Sequence, residues 1–247
     1  MRADRAIILA AGRGSRMKAV TRNLPKGLIE LDGKSLVEWQ IAALRKAGIE
    51  DIVIVTGYRM EQFRHFGTRI AFNPEWETTN MVHTLFCVED EADRPVIISY
   101  SDVIYDSEYV RFLAKDSRDT VICYDLDWHD LWSRRFDDPL SDAESFRVNT
   151  DGSIQDIGRS TQTLSDIQGQ YMGLLRFTPA TIRAIRTITD EAQRRKMDMT
   201  GLLRLLIEAG HPVYGLPVQG RWCEIDDETD LSVARSLVAE ERIPRPF

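Results

Sequence analysis

Apolar residues gather in short runs that alternate with segments of three-to-four periodicity. Arg5 to Leu9 is a compact apolar run that leads into a glycine-containing loop. From Ser35 to Ala47, Leu36, Val37, Ile41 and Leu44 recur at helical spacing; Ser35 with Glu38 is a capping-box pair, and Gly48 supplies the stop. Asp51 to Thr56 reads as a buried strand, a second helical pattern starts at Met60, and apolar runs follow at Arg69–Phe72, Pro95–Ser99 and Thr120–Tyr124. Strands separated by helices predict a mostly parallel central sheet with helices on both faces, a three-layer α/β fold.

The pattern changes after Tyr124. Asp125 to Glu144 mixes many acids, two arginines and the aromatics Trp128, Trp132 and Phe136, which is not the composition of a flexible linker. Phe146–Asn149 and Ile154–Ile157 flank Asp151-Gly152, a hairpin signal. Tyr171–Phe177 and Val213–Pro217 read as strands; Pro179–Thr189, Met197–Ala209 and Asp230–Glu240 read as helices. No internal repeat appears. The expectation is one domain over 1–247 with a small inserted lobe at about 125–170.

Composition narrows the function classes. With 39 acids against 32 Lys+Arg the formal charge is −7, so the basic footprint of a nucleic-acid binder is missing. Charges interrupt every apolar run well short of the roughly 20 residues of a membrane span. Met1 to Arg5 leads straight into a strand-like run without a signal-peptide core, so a soluble cytoplasmic protein is expected. Cys87, Cys123 and Cys223 are scattered and the four histidines lack metal-site spacing, which argues against zinc or a disulfide framework. An anionic ligand would have to be held by a few local cations.

Those cations cluster in Ile7-Ile8-Leu9-Ala10-Ala11-Gly12-Arg13-Gly14-Ser15-Arg16-Met17 and Leu24-Pro25-Lys26-Gly27-Leu28. A glycine loop leaving the first strand of a parallel sheet lies where such sheets bind ligands, and it brings Arg13, Arg16 and Lys26 within reach of one anion. Met17 occupies the place of the third glycine of a dinucleotide fingerprint, and no Walker A lysine follows. The combination of Leu-Ala-Ala-Gly-x-Gly-x-Arg-Met with Pro25-Lys26 resembles the signature of nucleotidyltransferases, which join a nucleoside triphosphate to a phosphorylated small molecule and release pyrophosphate. The resemblance extends over essentially the whole chain and implies their Rossmann-like fold.

It also implies roles. Leu9, Ala10, Ala11, Gly12, Gly14 and Ser101 would clasp the nucleotide, while Lys26, Arg13 and Arg16 would serve the reacting phosphates. Asp102, after an apolar strand, and Asp226 resemble the family's paired metal aspartates and would hold Mg2+. An octahedral Mg2+ on a triphosphate needs only one or two protein carboxylates. Glu224 shares a face with Asp226 if the segment is extended. In related cytidylyltransferases an asparagine near Asn80 lies beside the nucleoside; a helix cap is the alternative role for that amide.

Asp130–Phe136, Pro139–Glu144 and Gln170–Leu174 look like segments of cytidylyltransferases for phosphonates and phosphoramidates, including 2-aminoethylphosphonate and phosphoglutamine activators for surface polysaccharides. Tyr100–Val103 and Trp222–Asp226 also resemble the phosphocholine enzymes. The expected substrates are CTP and a small anionic acceptor, the latter lodged among Arg134, Glu144, Tyr171, Asp198 and Glu224. Physically, arginines among aromatics suit a carboxylate or phosphate, whereas Asp142, Glu144 and Asp198 suit an ammonium; a satellite core with a solvated rim is the alternative. The aromatic segment is also a candidate contact surface for a second copy in a homodimer. Rival functions are a sugar-1-phosphate uridylyl- or thymidylyltransferase, a non-catalytic nucleotide sensor, and a dinucleotide-binding oxidoreductase.

Overall fold

The computed structural model describes residues 1–14, 17 and 23–247. The chain begins with β1 (Arg5–Ala10), a small hairpin of β2 (Glu30–Leu31) and β3 (Lys34–Ser35), then α1 (Leu36–Lys46), β4 (Asp51–Thr56), β5 (Arg69–Phe72) and α2 (Met81–Phe86). It continues through β6 (Val96–Tyr100), β7 (Val103–Tyr105), α3 (Ser107–Lys115), β8 (Thr120–Asp125) and α4 (Trp128–Arg135) to the hairpin β9 (Glu144–Val148) and β10 (Ile154–Ser160). The last part comprises β11 (Gln170–Phe177), α5 (Pro179–Ile188), α6 (Glu191–Lys196), α7 (Met199–Glu208), β12 (Tyr214–Val218), β13 (Trp222–Glu224) and α8 (Glu228–Ala239).

Seven strands form the central sheet in the order β12-β8-β11-β6-β1-β4-β5. β1 lies parallel between β4 and β6, β5 is parallel to β4 and β12 to β8, whereas β11 runs antiparallel to both β6 and β8. The period-two alternation of a strand divides its side chains between two cores. Ala6, Ile8, Ile52 and Ile54 face the layer containing Leu36, Leu44, Leu113 and Leu237. Ile7, Leu9, Val53 and Val55 face the layer containing Val82, Leu85, Ile182 and Leu203. A strand buried on both faces has to be apolar throughout, which is why β1 and β4 read as continuous runs.

The Ser35 capping box forms as the sequence predicts, with the Glu38 amide donating to Ser35 Oγ at 3.2 Å and the Ser35 amide to Glu38 Oε2 at 2.8 Å. The helical pattern at Met60 winds instead as a 3-10 stretch over Met60–Phe66, bounded by the left-handed Arg59 and Gly67. Among the described residues no helix is long and apolar enough to cross a membrane.

Two local features set up the site. β7 pairs antiparallel with β13, placing Glu224 opposite Val103, and the Ile225 amide donates to the Asp102 carbonyl at 2.8 Å. Gly173 (φ 71°) sits where the β11 register slips between Tyr171 and Leu175; a Cβ there would come 2.7 Å from the Tyr100 ring. Such an irregularity re-aims neighbouring side chains, and Tyr100 and Tyr171 meet edge to face at 5.8 Å. Segment 125–170 feeds both cores, through Trp128, Leu131 and Trp132 on one face and Phe146, Ile154 and Ile157 on the other.

Candidate active site

β1 delivers the glycine loop to the carboxyl edge of the sheet. Leu9, Ala11, Gly12 and Gly14 line a cavity of about 240 Å3 with Lys26, Trp76, Asn80, Met81, Ser101 and Asp102. Gly14 has φ 75°, and a Cβ on it would stand 2.6 Å from the Lys26 Cβ. The loop can therefore lie on Lys26 only because this residue has no side chain. Ala10 lies in the core rather than on the cavity wall. Arg13 is at the loop, its guanidinium 5.5 Å from the centre of the Tyr58 ring. Arg16, expected at the reacting phosphates, lies outside the described residues.

Pro25 and the single 3-10 turn Lys26–Leu28 bury Lys26. Its ammonium donates to Asp102 Oδ2 at 2.6 Å and also to Asp226 Oδ1. Burial alone would lower its pKa, but Asp102 and Asp226 outweigh that and raise it, so the lysine is charged. Three residues separated by as much as 200 positions thus meet at one point, because Asp102 ends the turn after β6 and Asp226 follows β13.

Glu224 joins them. Asp102, Glu224 and Asp226 each offer a carboxylate oxygen within 4.8 Å of the others. Burial, then repulsion from Asp226 and Asp102, pushes the Glu224 carboxyl up to about 7. Asp102 Oδ1 is buried without a hydrogen-bond partner. A buried oxygen left bare is costly unless something supplies positive charge, and a set of hard oxygen donors is the kind that holds Mg2+. The residues present therefore fit a divalent cation.

A second cavity, of about 270 Å3, adjoins the first and shares Met81 and Tyr100 with it. Its walls carry Asp142, Glu144, Asp198, Glu224 and Asp226 among Trp132, Phe146, Tyr171 and Trp222. No lysine, arginine or histidine lines it among the described residues. Gln170 grips the Glu144 backbone from both sides, donating to its carbonyl at 2.6 Å and accepting from its amide at 3.2 Å. Asp198 caps α7 through the Gly201 amide at 2.7 Å, and Trp132 Nε1 donates to Asp142 at 3.2 Å. Burial in the cavity wall, then Asp198 and Asp142, raises the Glu144 pKa, although much of the residue's surface is open. Trp222 is fixed by donating to the buried Asp125 at 2.9 Å.

Most of the expected residues line one cavity or the other, whereas Ala10, Arg13 and Arg134 line neither. Asn80 lines the first cavity, yet its Oδ1 is engaged in capping α2 by accepting from the Met81 amide at 2.8 Å. Arg134, expected on the acceptor wall, is turned to the surface, where it pairs with Glu240 at 3.3 Å and Asp130 at 3.5 Å. Its neighbour Arg135 is the inward one, side chain 1% exposed, bonded to Asp230 and Glu224. The sequence reading puts Arg134 rather than Arg135 among the site residues and gives Trp76 and Trp222 no role of their own. For Arg135 a signal existed: Trp128, Leu131, Trp132 and Arg135 share the i, i+3, i+4, i+7 face that α4 buries.

Comparison with known proteins places this geometry in context. The MobA-like NTP transferase domain matches residues 6–212. The chain is 34% identical over 248 residues to the CTP:phosphoglutamine cytidylyltransferase of Campylobacter jejuni, covering 92% of this chain and 98% of that one. It is 29% identical over 175 residues to the choline-phosphate cytidylyltransferase of Streptococcus pneumoniae, covering 68% and 76%. The inositol-1-phosphate CTP transferase of T. maritima superimposes with a TM-score of 0.77 at 21% identity, covering 97% and 96%, a likeness of fold.

Proposed function

We propose, from the premise that this chain belongs to the MobA-like NTP transferase family, that it is a cytidylyltransferase moving CMP from CTP to a small phosphate or phosphonate acceptor that carries an ammonium group, with release of pyrophosphate. One observation carries the reading: the glycine-loop cavity, floored by Lys26 on Asp102 and Asp226, adjoins a second cavity whose charged walls, among the described residues, are all acidic. Relatives that act with CTP on phosphoglutamine and choline phosphate support it.

The residues divide the work by charge. Two anions must meet for the acceptor oxygen to attack the α-phosphorus in line with departing pyrophosphate. At 4 Å, two unit charges repel by about 4 kcal/mol at an effective dielectric of 20. Backbone amides of the glycine loop and the Lys26 ammonium offset that repulsion and fix the triphosphate, so positioning and electrostatics supply the catalysis. An acceptor phosphate is already anionic at neutral pH and needs no general base. Asp102 and Asp226, with Glu224 beside them, are the residues that would hold Mg2+. A bound ion there supplies Lewis-acid neutralisation of phosphate charge.

Glu144 and Asp198, with Asp142 at the rim, would attract the acceptor's ammonium, and the aromatic walls would cover its carbon skeleton. A hexose phosphate brings no cation to these acids, which disfavours the sugar-1-phosphate reading. The test is pyrophosphate release with each of CTP, UTP, dTTP and GTP, Mg2+, and phosphocholine, 2-aminoethylphosphonate, phosphoglutamine or a hexose phosphate. Turnover with CTP and an ammonium-bearing acceptor is expected. Turnover confined to UTP or dTTP with a hexose phosphate would refute the assignment.

A further inference from the structure

The geometry points to Arg135 as a positioning residue: its guanidinium, forked onto Asp230 and touching Glu224, sets where the carboxylates of β13 and the following turn stand in the metal and triphosphate site. This inference rests on the proposed function, since it concerns the same carboxylates.

The network is continuous. Arg135 Nε donates to Asp230 Oδ1 at 2.7 Å and its Nη2 to Asp230 Oδ2 at 3.0 Å. Nη1 and Nη2 each lie 3.3 Å from Glu224 Oε2. The Asp226 amide donates to Asp230 Oδ2 at 2.8 Å, so the same aspartate that holds the guanidinium also holds the backbone of a cluster residue. The Asp230 amide in turn donates to Asp227 Oδ1 at 3.0 Å, closing the turn into α8. The guanidinium carbon lies 5.2 Å from the centre of the Trp132 ring and 5.1 Å from that of Phe136.

Each side of this arrangement has a reason. A planar guanidinium can fork onto both oxygens of Asp230 and still reach Glu224 with its remaining N–H groups, a fixed bidentate geometry that the point charge of a lysine does not impose. The rings cover the guanidinium, and Asp230 is buried with it, so that pair is held firmly, and a buried arginine with too few acceptors would be costly. Glu224 thus has Oε2 tied to Arg135 and also belongs to the cluster with Asp102 and Asp226, so Arg135 stands to it as groups that orient metal-binding carboxylates from behind do. Arg135 itself touches neither nucleotide cavity nor acceptor cavity. It acts through Glu224 and Asp230.

A structural role alone would weaken everything together; a positioning role shows itself in the metal-dependent part of nucleotide binding. The experiment is calorimetric titration of CTP into the full chain, once with Mg2+ and once with EDTA, for wild type, Arg135→Lys and Asp230→Asn. Both variants should lose about tenfold or more of the affinity gained from Mg2+, with the EDTA value held within about twofold. An unchanged Mg2+ gain, or equal losses in both conditions, overturns the inference; if Arg135→Lys does not fold, Asp230→Asn decides by the same criterion. Wild-type protein that binds CTP no better with Mg2+ than with EDTA would instead refute the proposed metal site, a result distinct from failure at Arg135.

Discussion

Replacing Lys26 with methionine separates two roles of one charge. In the folded protein Lys26 is flanked by Asp102 and Asp226, and the side chains are 11%, 19% and 18% exposed. Methionine keeps most of the volume but leaves Asp102 and Asp226 without the lysine they share, in a cluster where Glu224 also offers an oxygen within 4.8 Å of theirs. Breaking a buried ion pair by removing one partner costs about 3–5 kcal/mol, and partial solvent access argues for the low end, about 3 kcal/mol. For a domain of this size that is a fall in Tm of about 6–12 °C. Lost electrostatic stabilisation at the reacting phosphates should lower kcat by more than about a hundredfold, or about 2.7 kcal/mol. The two losses respond differently to Mg2+: thermal melts with EDTA show the full destabilisation, Mg2+ restores part of it by neutralising the carboxylates, and turnover stays low in both. A Tm unchanged in EDTA, or a rate loss under about tenfold, would refute the reasoning.

Three further outcomes follow from the same geometry. Gly14→Ala demands a left-handed backbone costing about 1–2 kcal/mol and drives a Cβ to 2.6 Å from the Lys26 Cβ, so steady-state kinetics should show a fall in kcat of about tenfold or more in a chain that still folds by circular dichroism. Glu144→Gln should raise KM for an ammonium-bearing acceptor about fivefold, the value of about 1 kcal/mol for a partly exposed charge pair, with KM for CTP unchanged. Burial, then Asp198 and Asp142, raises the Glu144 pKa against the opposing pull of Arg204, so the carboxylate takes up its proton at a higher pH than a free glutamate. Acceptor KM should accordingly rise as pH falls below neutral in wild type, and Glu144→Gln should lose that component; a pH-independent wild-type KM would contradict the assignment.

Much of the frame was legible because it rests on local pattern. Ser35 with Glu38 marks the start of α1 whatever surrounds it, and the apolar runs of β1, β4 and β6 follow from burial on both faces. Strand direction is another matter. The residues of β11 have the same alternation whether the strand runs parallel or antiparallel to β6, so its reversal is invisible in the pattern. Convergence of Glu224 on Asp102 depends on the pairing of β13 with β7, a tertiary event between segments that carry no local mark of each other. Glycine spacing and Pro25-Lys26 pointed to the loop, but the direct bond of Lys26 to both aspartates emerges only once the sheet is assembled. The arginine pair shows how narrow the margin is: one helical position, about 100°, separates the surface-bound Arg134 from the buried Arg135.

The convergence itself is open to direct measurement by diffraction from crystals soaked in Mn2+ and CTP, with the ion located by its anomalous signal. The account predicts a peak within coordination distance of Asp102 and Asp226, about 2.2 Å from their oxygens, with the triphosphate lying along Gly12 and Gly14 and the Lys26 ammonium on a phosphate oxygen. A metal bound elsewhere, or a nucleotide seated away from this loop, would contradict it.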